Sequence, residues 1–385
     1  MTATKSHVID GDAHVLEPRD LWIRYLEPKF RRRAIRIEED TKGWEALLVD
    51  GRSNEVVHGI LGAIGGVGQD DVAALFTPGA RKYEDGFAVD GTDPSKRLQV
   101  MDGEGIDAAL LYPTLGLLWE PMLRDSEIAT AYSRAYNRYI VDYCKTDNSR
   151  LYPVAHVNLL DPDLGLEELK RARKDGCVGV FISPFPGARG ARRLDDPSLA
   201  RFFDTASDLD MPLSFHVIVP QAEDRMLRDF EHGGTPENND TFTFTFLGIE
   251  VMAAFTQMLT AGVLERHPKL RVAVLETGCN WLGAWLDRMD HKWEATSKGR
   301  NFACKIKPSE YFQRQCVISC DPDETMTDSM VARFGPEKII WASDYPHIDA
   351  QMNVVGELKH RLSGLPEASL RLVLGDNLVK FYGLN

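Results

Sequence analysis

The chain has 385 residues, 43% of them hydrophobic and 27% charged, the balance of a globular protein able to bury a large core. With 45 Lys and Arg against 58 Asp and Glu, its formal charge is −13, which argues against nucleic acid or an anionic membrane as a partner. No run approaches the ~20 apolar residues needed to cross a bilayer. Residues Met1–His7 lack the apolar segment of a secretory signal, and the six cysteines form no CxxC pair, so a reduced cytoplasm is the expected compartment.

The stretch Val8–Glu17 reads as a buried strand that turns polar at its end. It carries Asp12, His14 and Glu17 within six positions. Residues two apart on a strand share a face, so Asp12 and His14 can converge, and Glu17 can bend back from just beyond the end. From about 19 to 93 the pattern changes. Arg33–Glu38 and Trp44–Val49, joined by a polar turn at Thr41–Gly43, predict an inserted β-hairpin. The glycine-rich Gly59–Gly68 lacks the GKS/T of a phosphate loop and is expected to form a loop over a pocket.

Beyond Pro94, helical and apolar segments alternate. Helix Ser95–Glu104 precedes strand Ala108–Pro113, and helix Ser126–Lys145 precedes Leu151–Val157. Helix Leu164–Lys174 leads to Cys177–Ser183, and Pro197–Asp208 leads to Pro212–His216. A longer interval, 220–248, contains the spaced Phe242, Phe244 and Phe246 and is a plausible subunit interface. Helix Glu250–Arg266, strand Leu270–Glu276, helix Trp281–Ala295, strand Cys316–Cys320, helix Asp323–Phe334 and strand Lys338–Asp344 follow. Two closing helices cover roughly 353–363 and 367–381. Eight apolar strands alternating with helices predict an α/β fold of the (β/α)8 TIM-barrel type, one domain over 1–385 with its insertion after the first strand.

Chemistry in such barrels sits at the C-terminal strand ends. Those ends carry Asp12, His14 and Glu17, then His156, His216, Glu276, Asp321, and Asp344 followed by His347. Buried ionisable groups are costly unless paired or bound to metal. Imidazole mixed with carboxylate suits Zn, Mn or Fe, and the set exceeds what one tetrahedral zinc needs. One divalent ion or two are therefore expected, with no organic cofactor. His156 reads as a core or supporting histidine.

The sequence resembles the amidohydrolase superfamily, in the amidohydrolase-related branch that includes aminocarboxymuconate-semialdehyde decarboxylase and γ-resorcylate decarboxylase. The resemblance is carried by Ile9–His14, Leu194–Pro197 with Met211–His216, Leu264–Leu270, Trp341–His347 and Gly375–Gly383. It implies a metal held by Asp12, His14, His216 and Asp344, with Asp12-x-His14 standing where the branch usually has His-x-His or Glu-x-His. Strand six usually ends in histidine, and here Glu276 takes that place. Glu276 is therefore expected to be a general base or, with Glu17, a ligand to a second metal.

The first functional expectation is a metal-dependent hydrolase of a small carboxylic, amide, ester or lactone compound. Asp344 or Glu276 would be its base, and His347 would stabilise the developing oxyanion. The alternatives are a non-oxidative decarboxylase, a dinuclear Fe or Mn oxygenase, and an inactive partner subunit. The substrate is expected to be a small molecule, and the protein a homo- or hetero-oligomer.

Overall fold

In the computed structural model, residues 7–69, 71–89, 92–228, 236–297 and 300–384 are described. In chain order the strands are β1 (Ile9–Val15), β2 (Arg36–Glu39), β3 (Glu45–Val49), β4 (Arg52–Ser53), β5 (Ala108–Pro113), β6 (Leu151–His156), β7 (Gly179–Phe181), β8 (Leu213–Phe215), β9 (Val272–Val274), β10 (Cys316–Cys320) and β11 (Ile339–Trp341). Eight of them form one sheet in the order β1-β5-β6-β7-β8-β9-β10-β11, every pairing parallel. All residues of these eight strands are buried, as a parallel sheet covered on both faces requires.

The ring closes where the last strand meets the first. The His14 N–H donates to the Tyr345 carbonyl at 2.7 Å, and the Asp344 N–H donates to the Asp12 carbonyl at 3.0 Å. Gly11 permits this approach: a Cβ there would lie 2.8 Å from the Trp341 carbonyl oxygen. Asp10 reinforces the seam, its Oδ1 accepting the Ser343 N–H at 3.0 Å and its Oδ2 bonding the Ser343 hydroxyl. The strands and intervening helices make a (β/α)8 barrel.

The helices start and stop where local chemistry dictates. Asp93, Asp125 and Asp161 accept amide N–H groups at the starts of helices Pro94–Glu104, Ser126–Cys144 and Pro162–Asp175. Gly105 and Gly176 end the first and third of these with φ of +76° and +119°.

After β1, strands β2, β3 and β4 form a small antiparallel sheet. Asp40 shapes the β2–β3 turn by accepting from Lys42 N and Trp44 N. Arg33 ties this region to the barrel helices through Asp50 and Asp125. The glycine-rich segment packs closely: Cβ atoms at Gly62 and Gly65 would come within 2.7 Å of the Arg81 backbone and of Leu16 Cδ1. Glycine serves close chain approach there.

Three elements differ from expectation. The helix after β8 spans Pro236–Thr260, starting well before Glu250, and a break at Gly262 (φ +75°) separates it from Val263–Arg266. No helix was expected before Glu250, yet the Thr/Phe-rich run lies within the helix that a parallel crossover needs. The side chains of Phe242 and Phe244 lie outside the described residues. Short helices Leu115–Trp119 and Pro308–Gln315 occupy stretches to which the sequence pattern assigned no element.

Candidate metal centre and its cavity

At the C-terminal mouth of the barrel, β1 delivers Asp12 and His14, the end of β8 delivers His216, and the turns after β9 and β11 deliver Glu276 and Asp344. His14 Nε2 lies 3.0 Å from His216 Nε2, 3.2 Å from Asp344 Oδ1 and 3.5 Å from Asp12 Oδ1. His216 Nε2 lies 3.4 Å from Asp12 Oδ2, and His216 Nδ1 lies 3.0 Å from Glu276 Oε2. Three overlapping groups have the spacing to hold an ion: Asp12/His14/His216, His14/Asp344/His347 and His216/Glu276/Asp344.

The ring orientations point the same way. His14 Nδ1 sits 2.9 Å from the Pro113 carbonyl oxygen and His216 Nδ1 2.6 Å from that of Val217. A carbonyl can only accept, so each Nδ1 carries the proton and each Nε2 presents a lone pair to the cluster. Burial first, then neighbouring His347, pushes His14 down to about 3, which keeps it neutral.

The carboxylates lack partners of their own. Both oxygens of Asp12, with Glu276 Oε2 and Asp344 Oδ2, are buried without a hydrogen bond among the described residues. Burial raises Asp12 and Glu276 well above the carboxylate range, with Asp344's charge adding to both. Burial also opposes the Asp344 charge, but His347 and His14 outweigh it and hold Asp344 well below that range. Facing lone pairs and unpartnered buried carboxylates fit a divalent cation, with Asp12, His14, His216 and Asp344 around it and Glu276 at its edge.

Backbone strain marks the same residues. Glu276 and Asp344 have φ of +51° and +56°, the left-handed region that non-glycine residues avoid. Each costs about 1–3 kcal/mol, and such residues gather at functional sites.

His347 Nδ1 lies 2.8 Å from Asp344 Oδ1, and its Nε2 lies 2.9 Å from the Thr114 hydroxyl. Burial disfavours its cation, but the adjacent Asp344 carboxylate lifts it above an ordinary imidazole. His347 and Thr114 line a cavity of about 390 Å³ together with Glu276, Asp349 and the apolar Ile60, Ile64, Leu117, Leu118, Val217 and Leu247. A second space of about 400 Å³ shares Glu276 and Asp349 and adds Asp321, Asp323 and Asp344.

Glu17 departs from the reading of it as a metal ligand. It is fully buried, but its carboxylate accepts the N–H groups of Leu115 at 2.8 Å, Thr114 at 3.3 Å and Gly116 at 3.4 Å, and it belongs to none of the three groups. Those amides sit at the start of a helix that sequence periodicity missed. Asp321 lines the second space and belongs to none of the groups either. His156 is buried against Glu120, 2.5 Å from its Oε2, in the supporting place expected of it. Thr114 was missed because only ionisable strand ends were read. Asp349 was missed although it follows His347 by two residues, a spacing that flags it.

Comparison with known proteins identifies the family. The profile of the amidohydrolase family Amidohydro_2 matches residues 9–384, and the chain belongs to that family. It is 24% identical over 260 residues to a γ-resorcylate decarboxylase of Polaromonas sp. (strain JS666), covering 65% of this chain and 76% of that one. Among solved structures, an amidohydrolase from Mycobacterium avium subsp. paratuberculosis K-10 superposes with a TM-score of 0.81 at 23% identity, over 99% of this chain and 100% of that one. The 5-carboxyvanillate decarboxylase of Novosphingobium aromaticivorans DSM 12444, complexed with manganese and 4-hydroxy-3-methoxy-5-nitrobenzoic acid, superposes with a TM-score of 0.67 at 19% identity, over 99% and 97% of the two chains.

Proposed function

We propose that the protein is a metal-dependent, non-oxidative decarboxylase of a small cyclic or enoic carboxylic acid. The observation that carries this reading is the junction of the His/Asp cluster with an apolar-walled cavity of about 390 Å³, where His347 and Thr114 stand at the boundary. Similarity to a γ-resorcylate decarboxylase supports this reaction over the hydrolysis expected first from the ligand set.

Asp12, His14, His216 and Asp344 would hold a divalent cation, which when bound would supply positive charge to orient the anionic substrate at the mouth and to stabilise negative charge developing on it. The chain's own groups do the rest. Leu117, Leu118, Val217 and Ile64 hold the substrate body and exclude water. The bond to the carboxylate carbon breaks, CO2 leaves, and the electron pair stays on the substrate carbon. His347, holding its proton beside Asp344, delivers it to that carbon, so R–CO2⁻ plus H⁺ becomes R–H plus CO2. No oxidant enters the balance. The turning of Glu17 to backbone amides removes one of the two carboxylates that a second ion was expected to use.

The test is incubation of manganese-loaded protein with a panel of hydroxylated benzoic acids under anaerobic conditions. The expected result is CO2 release, with one solvent deuterium at the vacated carbon when the reaction runs in D2O. Turnover of esters or lactones with no CO2 from any acid would return the reading to hydrolysis.

A further inference from the structure

Thr114 occupies the position before helix Leu115–Trp119, where a threonine hydroxyl ordinarily caps its own helix. It does not do so here: the side chain makes no capping bond, and its hydroxyl meets His347 Nε2 at 2.9 Å. The amides left over are taken by Glu17, from just beyond the end of the neighbouring strand β1. Glu17 is anchored in turn, its carbonyl accepting the Tyr83 hydroxyl at 3.1 Å. The neighbouring Arg19 is turned to Glu45 and Glu84.

We propose that Glu17 is a positioning residue that caps helix Leu115–Trp119 in place of Thr114, so that the Thr114 hydroxyl stays on His347. Placing a fully buried carboxylate on three amides is a costly way to cap a five-residue helix, since a threonine already stands at the capping position. The arrangement makes sense if the hydroxyl has other work. The same helix presents Leu117 and Leu118 to the cavity, and its Leu117 carbonyl accepts the Val219 N–H at 3.0 Å. Glu17 therefore sets one wall of the cavity and one partner of His347 without touching either the cluster or the cavity.

The kinetic part rests on the decarboxylase reading, and the structural part does not. The variants are Glu17→Ala, Thr114→Val and the double substitution, with Glu17→Gln, which keeps an acceptor, should the alanine variant fail to fold. Bound manganese per chain is expected to stay at the wild-type level in every variant. A crystal structure of Glu17→Ala is expected to show the Thr114 hydroxyl rotated onto its own helix amides and off His347. In turnover, each single substitution is expected to lower kcat about tenfold, the worth of one hydrogen bond, and the double no further than Thr114→Val alone. Loss of manganese in the Glu17 variants would overturn the proposal, because Glu17 would then be a ligand. A Thr114 hydroxyl that remains on His347, or losses that multiply in the double variant, would overturn it too. If no acid turns over, the decarboxylase reading fails while the manganese and crystallographic outcomes still decide the role of Glu17.

Discussion

His14 and His216 point their Nε2 atoms at one another across 3.0 Å, and each has committed its Nδ1 proton to a backbone carbonyl. Two lone pairs at that distance repel, so the fold has built a place whose energy falls when a cation arrives. Binding to the native state alone stabilises it by mass action, about 4 kcal/mol at a thousandfold excess over Kd. Stripping metal with a chelator should lower Tm, and manganese should restore it. His14→Ala should show neither response in differential scanning calorimetry.

Asp12 makes a prediction of opposite sign in the two states. It is 1% exposed, neither oxygen has a hydrogen bond among the described residues, and Glu276, Asp344 and Asp10 all repel its charge. Asp12→Asn should therefore stabilise the metal-free protein by about 1–2 kcal/mol while weakening manganese binding at least tenfold. Denaturant unfolding with and without metal reads both effects. A variant destabilised in both states would contradict the account.

The left-handed backbone of Glu276 gives a third test. Its φ of +51° suits glycine, so Glu276→Gly should leave the metal-free fold as stable or about 1 kcal/mol more stable. Turnover should fall all the same, because the carboxylate at the edge of the cluster and in the cavity wall is gone. Urea midpoints beside CO2 release would separate strain kept for function from strain kept for folding.

Glu17 should report on pH through stability. Burial, only partly offset by its three amide bonds, pushes its pKa from 4.5 up to about 7. The folded state then binds more protons than the unfolded chain between those values, so stability falls as pH rises from about 4.5 through about 7 and levels off above. Glu17→Gln has no such titration. The stability of wild type relative to Glu17→Gln should drop between pH 5 and pH 8 by up to about 3 kcal/mol, followed by urea unfolding.

Much of the barrel was legible because its strands are short apolar runs. Ala108–Pro113 and Cys316–Cys320 match their predicted bounds, and Asp12, His14, His216, Glu276 and Asp344 converge as the strand ends implied. Glu17 was misplaced for a physical reason. Its partners are backbone amides near residue 115, and an amide carries no signature in a sequence. Thr114 escaped notice likewise, since a hydroxyl at a strand end looks like any cap until its hydrogen bond to His347 is seen. Helix Pro236–Thr260 shows the remaining failure, its first part falling in a Thr/Phe-rich interval where no helix was expected before Glu250.

The seam of the barrel joins Asp12 and His14 to Asp344 and Tyr345 by backbone hydrogen bonds, and three of those four residues also offer side chains to the cluster. Some 330 positions of chain separate the two halves of this seam. A growing polypeptide on the ribosome thus holds Asp12 and His14 from the outset but cannot assemble the full set of donors until its eighth barrel strand has emerged. The donors from the first and fifth barrel strands can meet earlier, but the groups that include Asp344 form only once the ring has shut.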